Sequence, residues 1–442
     1  MNDWKGCLVA VEHADHLRHC LDDFLAQPLS LEADTLDRIV SGLESWAQAL
    51  GPELGSEMGL PFLKTWWRAQ QLRSVLRHEF GAGAELGPLD GTPEVGERSW
   101  ASVGTVLHWP AANVPIQPLL SLTCGLLSGN RNIVRVPAGL VEFMRKVLEC
   151  APPSMAEVFD RVLFLAFPSD RRDLASMCAE RSDAAMVWGG QEAVSQVRSL
   201  PFPHWARIQV FGPRTSAAMV LLDERLMAQA DELKKLCRRI ARETWQFDQE
   251  ACSSPLVLYV QTPVSGAASD REAGPVVREA EHVFLQMLAQ AFDEEQRAHP
   301  RRELSARMSV DIAKARADWL LEDEQAQVIA SKGPAWTILH GGRMNREPAL
   351  LQGKTLNVVS TDDLEAIAAS MDGSVQTLGL WVCDPDLEQR VVRAAQHCGV
   401  DRVVRLGMMH VFNTPWDGHE LVRSLCRRVH FISTPMERSA NA

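Results

Sequence analysis

A chain of 442 residues, 46% of them hydrophobic, is long enough to bury more than one core and predicts two or three domains. The formal net charge of −12 excludes a phosphate backbone as the main partner, because a nucleic-acid footprint needs a basic face. No apolar run reaches the roughly 20 residues of a membrane helix without Pro, Gly or charge intervening, so no membrane span is expected. The ten cysteines contain no Cys-x-x-Cys pair, which argues against a zinc knuckle or a dithiol redox motif. The start, Met1-Asn2-Asp3-Trp4-Lys5, lacks the basic opening and apolar core of a signal peptide, and a cytoplasmic protein is expected.

Residues 1–100 read as a mainly helical region, with apolar periodicity over Ala33–Leu50 and Leu60–Phe80 and several tryptophans suited to packing on a larger body. His13, His16 and His19 share a helical spacing, but Asp15 and Arg18 between them favour an exposed polar face, and no metal is expected. Gly81-Ala82-Gly83-Ala84-Glu85-Leu86-Gly87 has the wrong context for a dinucleotide fingerprint, since a helix precedes it and Pro88 follows. It reads as a loop.

From residue 101 short apolar strands alternate with helices, the pattern of a parallel sheet covered on both faces. Strands are predicted at Val103–Trp109, Ile133–Val136, Val162–Ala166, Ala184–Trp188, Ile208–Phe211 and Met219–Leu222, with helices at Ile116–Leu127, Leu140–Cys150 and Leu174–Glu180 between them. After the first strand, Trp109-Pro110-Ala111-Ala112-Asn113-Val114-Pro115 is a proline-bounded loop that presents Asn113 at a rigid turn. Such an amide suits either a helix cap or a donor to a developing oxyanion. Arg135, near a strand end, suits either a cofactor phosphate or solvent. Trp188-Gly189-Gly190 is a strand-to-helix glycine turn that allows close backbone approach to a diphosphate.

A long amphipathic helix over Asp223–Gln246 then leads to Phe247-Asp248-Gln249-Glu250-Ala251-Cys252-Ser253-Ser254-Pro255 and a strand at Leu256–Val260. Cys252 therefore stands at a helix-to-strand joint among small polar neighbours. A thiol there is either a small core residue or a nucleophile held as thiolate by backbone N–H groups. Beyond a charged break at Ser265–Gly274, strands at Trp336–His340, Thr355–Val359 and Thr377–Val382 alternate with helices at Asp362–Ser370 and Pro385–His397. A second α/β domain is expected, with the boundary in the helix ahead of Cys252. The domains predicted are 101–228 for dinucleotide binding, 229–405 for catalysis, and 406–442 as a segment returning to the first or to an oligomer interface. His108 and His410 lie on segments able to approach the site, with structural roles expected of both.

Together the Asn113 loop, the Ser128–Pro137 turn and strand, the Trp188 glycine turn, Asp248–Pro255 and Trp416-Asp417-Gly418 resemble the LuxC-type acyl-CoA (fatty acyl thioester) reductases within the aldehyde dehydrogenase superfamily. The resemblance implies an aldehyde dehydrogenase-like fold, with a parallel-sheet cofactor domain and a second α/β catalytic domain. It implies Cys252 as nucleophile and Asn113 as oxyanion donor. It also implies NADPH held by Trp109, Pro110, Arg135, Trp188, Gly189 and Gly190, no metal, an acyl-CoA or acyl-carrier protein thioester as substrate, and a homo-oligomer. Hydrolytic members carry a glutamate where this chain has Gln209-Val210-Phe211-Gly212-Pro213; without it an acyl-cysteine should last long enough to meet hydride. The superfamily's Glu-x-Phe-Gly-Pro element has no match near Gln352–Asn357, leaving the nicotinamide-ribose contact unassigned. The alternatives are a CoA-acylating dehydrogenase working oxidatively with NAD, and a non-catalytic assembly partner with the same fold.

Overall fold

Strands apolar on both faces are stable only inside a sheet covered by helices on both sides, and the chain builds two such sheets. The structure is a computed structural model that describes residues 8–27, 35–55, 58–81, 98–262, 275–300, 304–322, 326–341 and 351–430. Most of the Gly81–Gly87 loop, the 265–274 break and the first residues therefore lie outside the described residues. The chain divides into two units, Met1–Gly212 with Phe412–Ala442, and Pro213–Val411. Among the described residues no helix is long and apolar enough to cross a membrane.

The first unit begins with β1 (Leu8–Ala10) and four helices, α1 (Ala14–Ala26), α2 (Thr35–Ala49), α3 (Leu60–Trp66) and α4 (Ala69–Phe80). Next come β2 (Arg98–Ser102), β3 (Thr105–Trp109), α5 (Gln117–Leu127), β4 (Arg131–Val136), α6 (Val141–Glu149) and α7 (Ala156–Phe159). Then follow β5 (Val162–Ala166), α8 (Arg172–Ala179), β6 (Ala184–Trp188), α9 (Gln191–Arg198) and β7 (Arg207–Phe211). The six-stranded sheet runs β1-β5-β4-β3-β6-β7, every pair parallel. From β3 the chain first builds outward through β4 and β5, then crosses back to add β6 on the other side. The strand order thus reverses between β3 and β6, which opens a crevice at their carboxyl ends.

Helix α5 is buried along its whole length. A polar seam along it meets the sheet at His108. The His108 Nε2–H donates to Asn132 Oδ1 at 3.0 Å, which leaves Nδ1 to accept from the Ser121 hydroxyl at 2.7 Å. Burial pushes the imidazole down to about 4, so it is neutral at physiological pH. Gly125 makes the seam possible: a Cβ there would lie 1.9 Å from Asn132 Oδ1 and 2.9 Å from His108 Nε2. The N-terminal helices pack on the same element, Trp67 donating its indole N–H to Thr123 at 2.7 Å while stacking on Trp46.

The second unit contains β8 (Thr215–Leu221), α10 (Glu224–Met227), α11 (Ala230–Trp245), β9 (Pro255–Gln261), α12 (Pro275–Ala298), α13 (Ala306–Glu322), β10 (Gln327–Ala330) and β11 (Thr337–Gly341). It ends with β12 (Thr355–Thr361), α14 (Leu364–Ala369), β13 (Val375–Trp381), α15 (Pro385–His397) and β14 (Arg402–Arg405). Its sheet runs β10-β11-β12-β9-β8-β13-β14, parallel except at the β10 edge. One core lies on each face, Leu233, Leu236, Ile240 and Phe292 on one side and Leu364, Leu378 and Val391 on the other.

Three expectations change. The strand predicted at Met219–Leu222 is β8, which pairs with β9 and β13 in the second sheet, so the change of sheet falls after Gly212 and not in the helix ahead of Cys252. Its apolar pattern suits either sheet equally, and only the pairing distinguishes them. The predicted helix over Asp223–Gln246 is two helices, because Asp223 caps a single turn by accepting from Leu226 N and the chain then restarts at Ala230. At the other end Leu406–Val411 stays with the second unit, while the segment from Phe412 returns to the first. There β15 (Cys426–His430) pairs antiparallel with β2, and the buried Glu79 carboxylate accepts from Val422 N at 2.9 Å, Arg423 N at 2.6 Å and the Thr414 hydroxyl. Burial holds that carboxyl above its ordinary range.

Candidate active site

Helix α11 stops at Trp245, and the next residues turn with the wrong hand. Phe247, Asp248 and Gln249 have φ of 54°, 52° and 64°. The left-handed region costs an L residue about 1–2 kcal/mol, so three in succession without a glycine require outside support. Gln249 supplies part of it. Its fully buried carboxamide donates to Pro255 O at 2.9 Å and Thr355 O at 2.8 Å, and accepts from Thr355 N at 2.8 Å. Asp248 is paired at 2.8 Å with Lys354, itself buried, left-handed at φ 56° and 4.1 Å from the centre of the Trp245 ring. The turn is pinned to the start of β12, and it delivers Cys252 to the head of β9.

Cys252 is partly buried. Its carbonyl accepts from the Ser216 hydroxyl at 2.7 Å, and its sulfur accepts from Gln376 Nε2 on β13 at 3.0 Å. Beside it, Ser253 is hydrogen-bonded to His410 Nδ1 at 2.9 Å, while His410 Nε2 lies 2.8 Å from the Glu243 carbonyl. A carbonyl only accepts, so Nε2 carries the proton and the Ser253 hydroxyl donates to Nδ1. Burial pushes His410 down to about 4, leaving it neutral. The Glu243 carboxyl, pushed up to about 7 by burial, accepts from Gly407 N and Met409 N at 2.8 and 2.7 Å and so shapes the loop that carries His410.

The remaining predicted residues belong to the first unit, around the crevice between β3 and β6. Trp109 ends β3 and is buried, followed by buried Pro110 and a loop that Gln117 closes by accepting from Ala111 N at 2.8 Å. Asn113 is half-buried in that loop. Arg135 is buried, not solvated: its guanidinium lies 4.9 Å from the Trp109 ring centre and donates to Phe167 O at 3.3 Å. Burial lowers it to about 10, so it remains a cation at neutral pH. The Trp188 ring faces the core, stacked on Phe211 at 3.8 Å with its N–H on Ser121, and its main chain is what it offers to the crevice. Gly189 has φ 154°, and Gly190 opens α9 exposed, with no atom within 4 Å of where a Cβ would stand.

Sequence reasoning missed Gln376, Lys354 and Glu243. The hint available for Gln376 is a glutamine inside the apolar run Val375–Trp381, where burial obliges its amide to find partners. Trp416-Asp417-Gly418 closes a turn, Trp416 bridging His419 with Asp417 and Gly418 at positive φ.

Two largely parallel sheets, one with a crevice at its order reversal and the other presenting a cysteine at the head of a central strand, define an aldehyde dehydrogenase-like fold. Lactaldehyde dehydrogenase from Escherichia coli matches with a TM-score of 0.60 at 12% identity, over 94% of this chain and 89% of that one. Aldehyde dehydrogenase 21 from Physcomitrella patens matches with a TM-score of 0.61 at 12% identity, over 94% and 88%. Likeness at that identity speaks to the fold. The family described as acyl-CoA reductase (LuxC) matches residues 50–428, and the chain belongs to that family. A relative, the long-chain acyl-protein thioester reductase of Vibrio harveyi, is 23% identical over 342 residues, 75% of this chain and 64% of that protein. The chain thus spans under two thirds of that relative's length.

Proposed function

We propose that this chain reduces an acyl thioester, on coenzyme A or a carrier protein, to the aldehyde. The observation that carries the reading is the Cys252 sulfur, held on a braced left-handed turn with an amide N–H aimed at it. Membership of the acyl-CoA reductase family supports it. The Cys252 thiolate attacks the thioester carbonyl, backbone N–H groups at Cys252 take the oxyanion, a role that family resemblance gives also to Asn113, and the substrate's thiolate leaves. Gln209–Pro213 offers no carboxylate to activate water, so the acyl group stays on Cys252. After reduction the thiohemiacetal collapses, releasing aldehyde and returning the electron pair to the Cys252 sulfur.

A reduced nicotinamide, NADPH in this reading, supplies the hydride when bound. The residues at the crevice fit such a group. Gly190 leaves open space at the start of α9 for a diphosphate, Arg135 keeps a cation at the end of β4, and Trp109, Pro110, Trp188 and Gly189 line the strand ends. A homo-oligomer is the assembly proposed, by family resemblance.

Intact-protein mass spectrometry after incubation with an acyl-CoA and with an acyl-carrier protein tests the reading. An acyl adduct on Cys252 is expected, cleared by NADPH with release of aldehyde and missing in Cys252→Ala. No adduct in the unaltered chain, or the same adduct in Cys252→Ala, overturns it.

A further inference from the structure

The bond from Gln376 to the Cys252 sulfur is the last of a directed series. Gln376 and Thr377 are both buried on β13, and Arg402 stands opposite Thr377 in register on β14. Arg402 Nη1 donates to Thr377 Oγ1 at 3.2 Å, the Thr377 hydroxyl reaches Gln376 Oε1 over a long 3.5 Å, and Gln376 Nε2 donates to Cys252 Sγ at 3.0 Å. A guanidinium has no acceptor, so Thr377 must accept from it, and its own proton is then left for the Gln376 carbonyl oxygen. That orients the carboxamide with its NH₂ toward the sulfur. Arg402 is fixed in turn, donating also to Met409 O and Val411 O, each at 2.7 Å, and to Met408 O at 3.0 Å.

We propose that Gln376 is a catalytic residue that holds Cys252 as a thiolate, with Thr377 and Arg402 as positioning residues that aim and polarise its amide. The inference rests on the role of Cys252 proposed above. Hydrogen bonds that all run in one direction strengthen one another, and a donor to sulfur favours the charged form. The sulfur is anionic twice in the reaction, before attack and when the thiohemiacetal collapses, so one neutral donor that never titrates serves both steps. His410 does not duplicate this. Both its nitrogens are engaged, and as a neutral ring it lends the loop no charge. Of the other ionisable groups on this stretch, Asp248 is paired with Lys354, Glu243 is turned to Gly407 N and Met409 N, and Glu250, two residues before Cys252, is exposed to solvent.

The test is the pH dependence of iodoacetamide alkylation at Cys252 in the full chain, followed by peptide mass spectrometry so that the other cysteines do not interfere. In Gln376→Leu the midpoint should rise by about one pH unit, roughly tenfold slower alkylation below the midpoint. Thr377→Val, which keeps shape and leaves Gln376 in place, should shift it in the same direction by less. A midpoint in Gln376→Leu equal to that of the unaltered chain overturns the inference. If that variant does not fold, an unshifted midpoint in Thr377→Val does so. Alkylation needs no acyl thioester, so the two readings fail separately. An adduct on Cys252 with coincident midpoints removes this inference alone, and shifted midpoints without any acyl adduct remove the proposed function while leaving Gln376 as the group that holds the thiolate.

Discussion

Replacing Gln249 with leucine tests whether the left-handed turn is held by that one side chain. The change preserves approximate volume and removes a buried carboxamide that makes three hydrogen bonds, leaving Thr355 N, Thr355 O and Pro255 O without it. A buried group left unsatisfied costs about 1–3 kcal/mol, and carbonyls tolerate the loss better than an N–H, so about 3–5 kcal/mol is expected in total. For a unit of this size each kcal/mol moves the melting point by about 2–4 °C. The second unit should therefore melt about 10 °C lower by differential scanning calorimetry. The turn also loses what holds it left-handed, so alkylation of Cys252 should change with it. A drop of less than about 3 °C would mean that the Asp248–Lys354 pair and the chain ends hold the turn without Gln249. Gln249→Glu is the control: it keeps the acceptor for Thr355 N but turns a carboxylate oxygen toward two carbonyls, and it should fare no better than leucine.

Three further outcomes can be measured. His108 binds its proton near 6.5 when unfolded and only at about 4 when folded. Between those values the unfolded chain holds more protons, so the contribution is present above pH 6.5 and is lost as pH falls toward 4. By pH 5 this amounts to about 2 kcal/mol, which the unaltered chain should lose, relative to His108→Gln, between pH 7 and pH 5; equal urea titrations at the two pH values would refute it. Gly125→Ala, which places a methyl against Asn132 and His108, should lower the melting point of the first unit by an amount equivalent to about 2–4 kcal/mol, and an unchanged melt would show that the seam can shift. In the second unit Glu243 titrates in the opposite sense to His410: its carboxyl rises from 4.5 to about 7 on folding, so its contribution grows as pH falls from 7 toward 4.5. Glu243→Gln should therefore remove an increase in stability of the second unit on mild acidification, and a calorimetric pH profile unaffected by the change would contradict that.

Much of the architecture is legible from residues in order. Val162–Ala166, Ala184–Trp188 and Pro385–His397 have the predicted bounds because each apolar or periodic run is punctuated locally by proline, glycine or polar residues. Pairing is another matter. The partners of β8 are decided by strands that arrive 40 and 160 residues later along the chain, roughly, and a parallel sheet writes no turn chemistry between them. The left-handed turn ahead of Cys252 contains no glycine to announce it. Gln376 lies 124 residues from the sulfur it serves. Residue order leaves both a phosphate and solvent open to Arg135, because its neighbours Trp109 and Phe167 come from other strands and loops.

The return of the chain to its first unit bears on the order of synthesis. Glu79 waits for the backbone N–H of Arg423, 344 residues further on, and β2 waits for β15. At about 5–20 residues per second that delay is roughly 20–70 s. Throughout it the carboxylate has no final partners and β2 has a bare edge, and within it the whole Pro213–Val411 unit is synthesised. The interrupted unit must therefore finish last, and a chain truncated after Val411 should contain a folded reactive-cysteine unit and an incomplete first one.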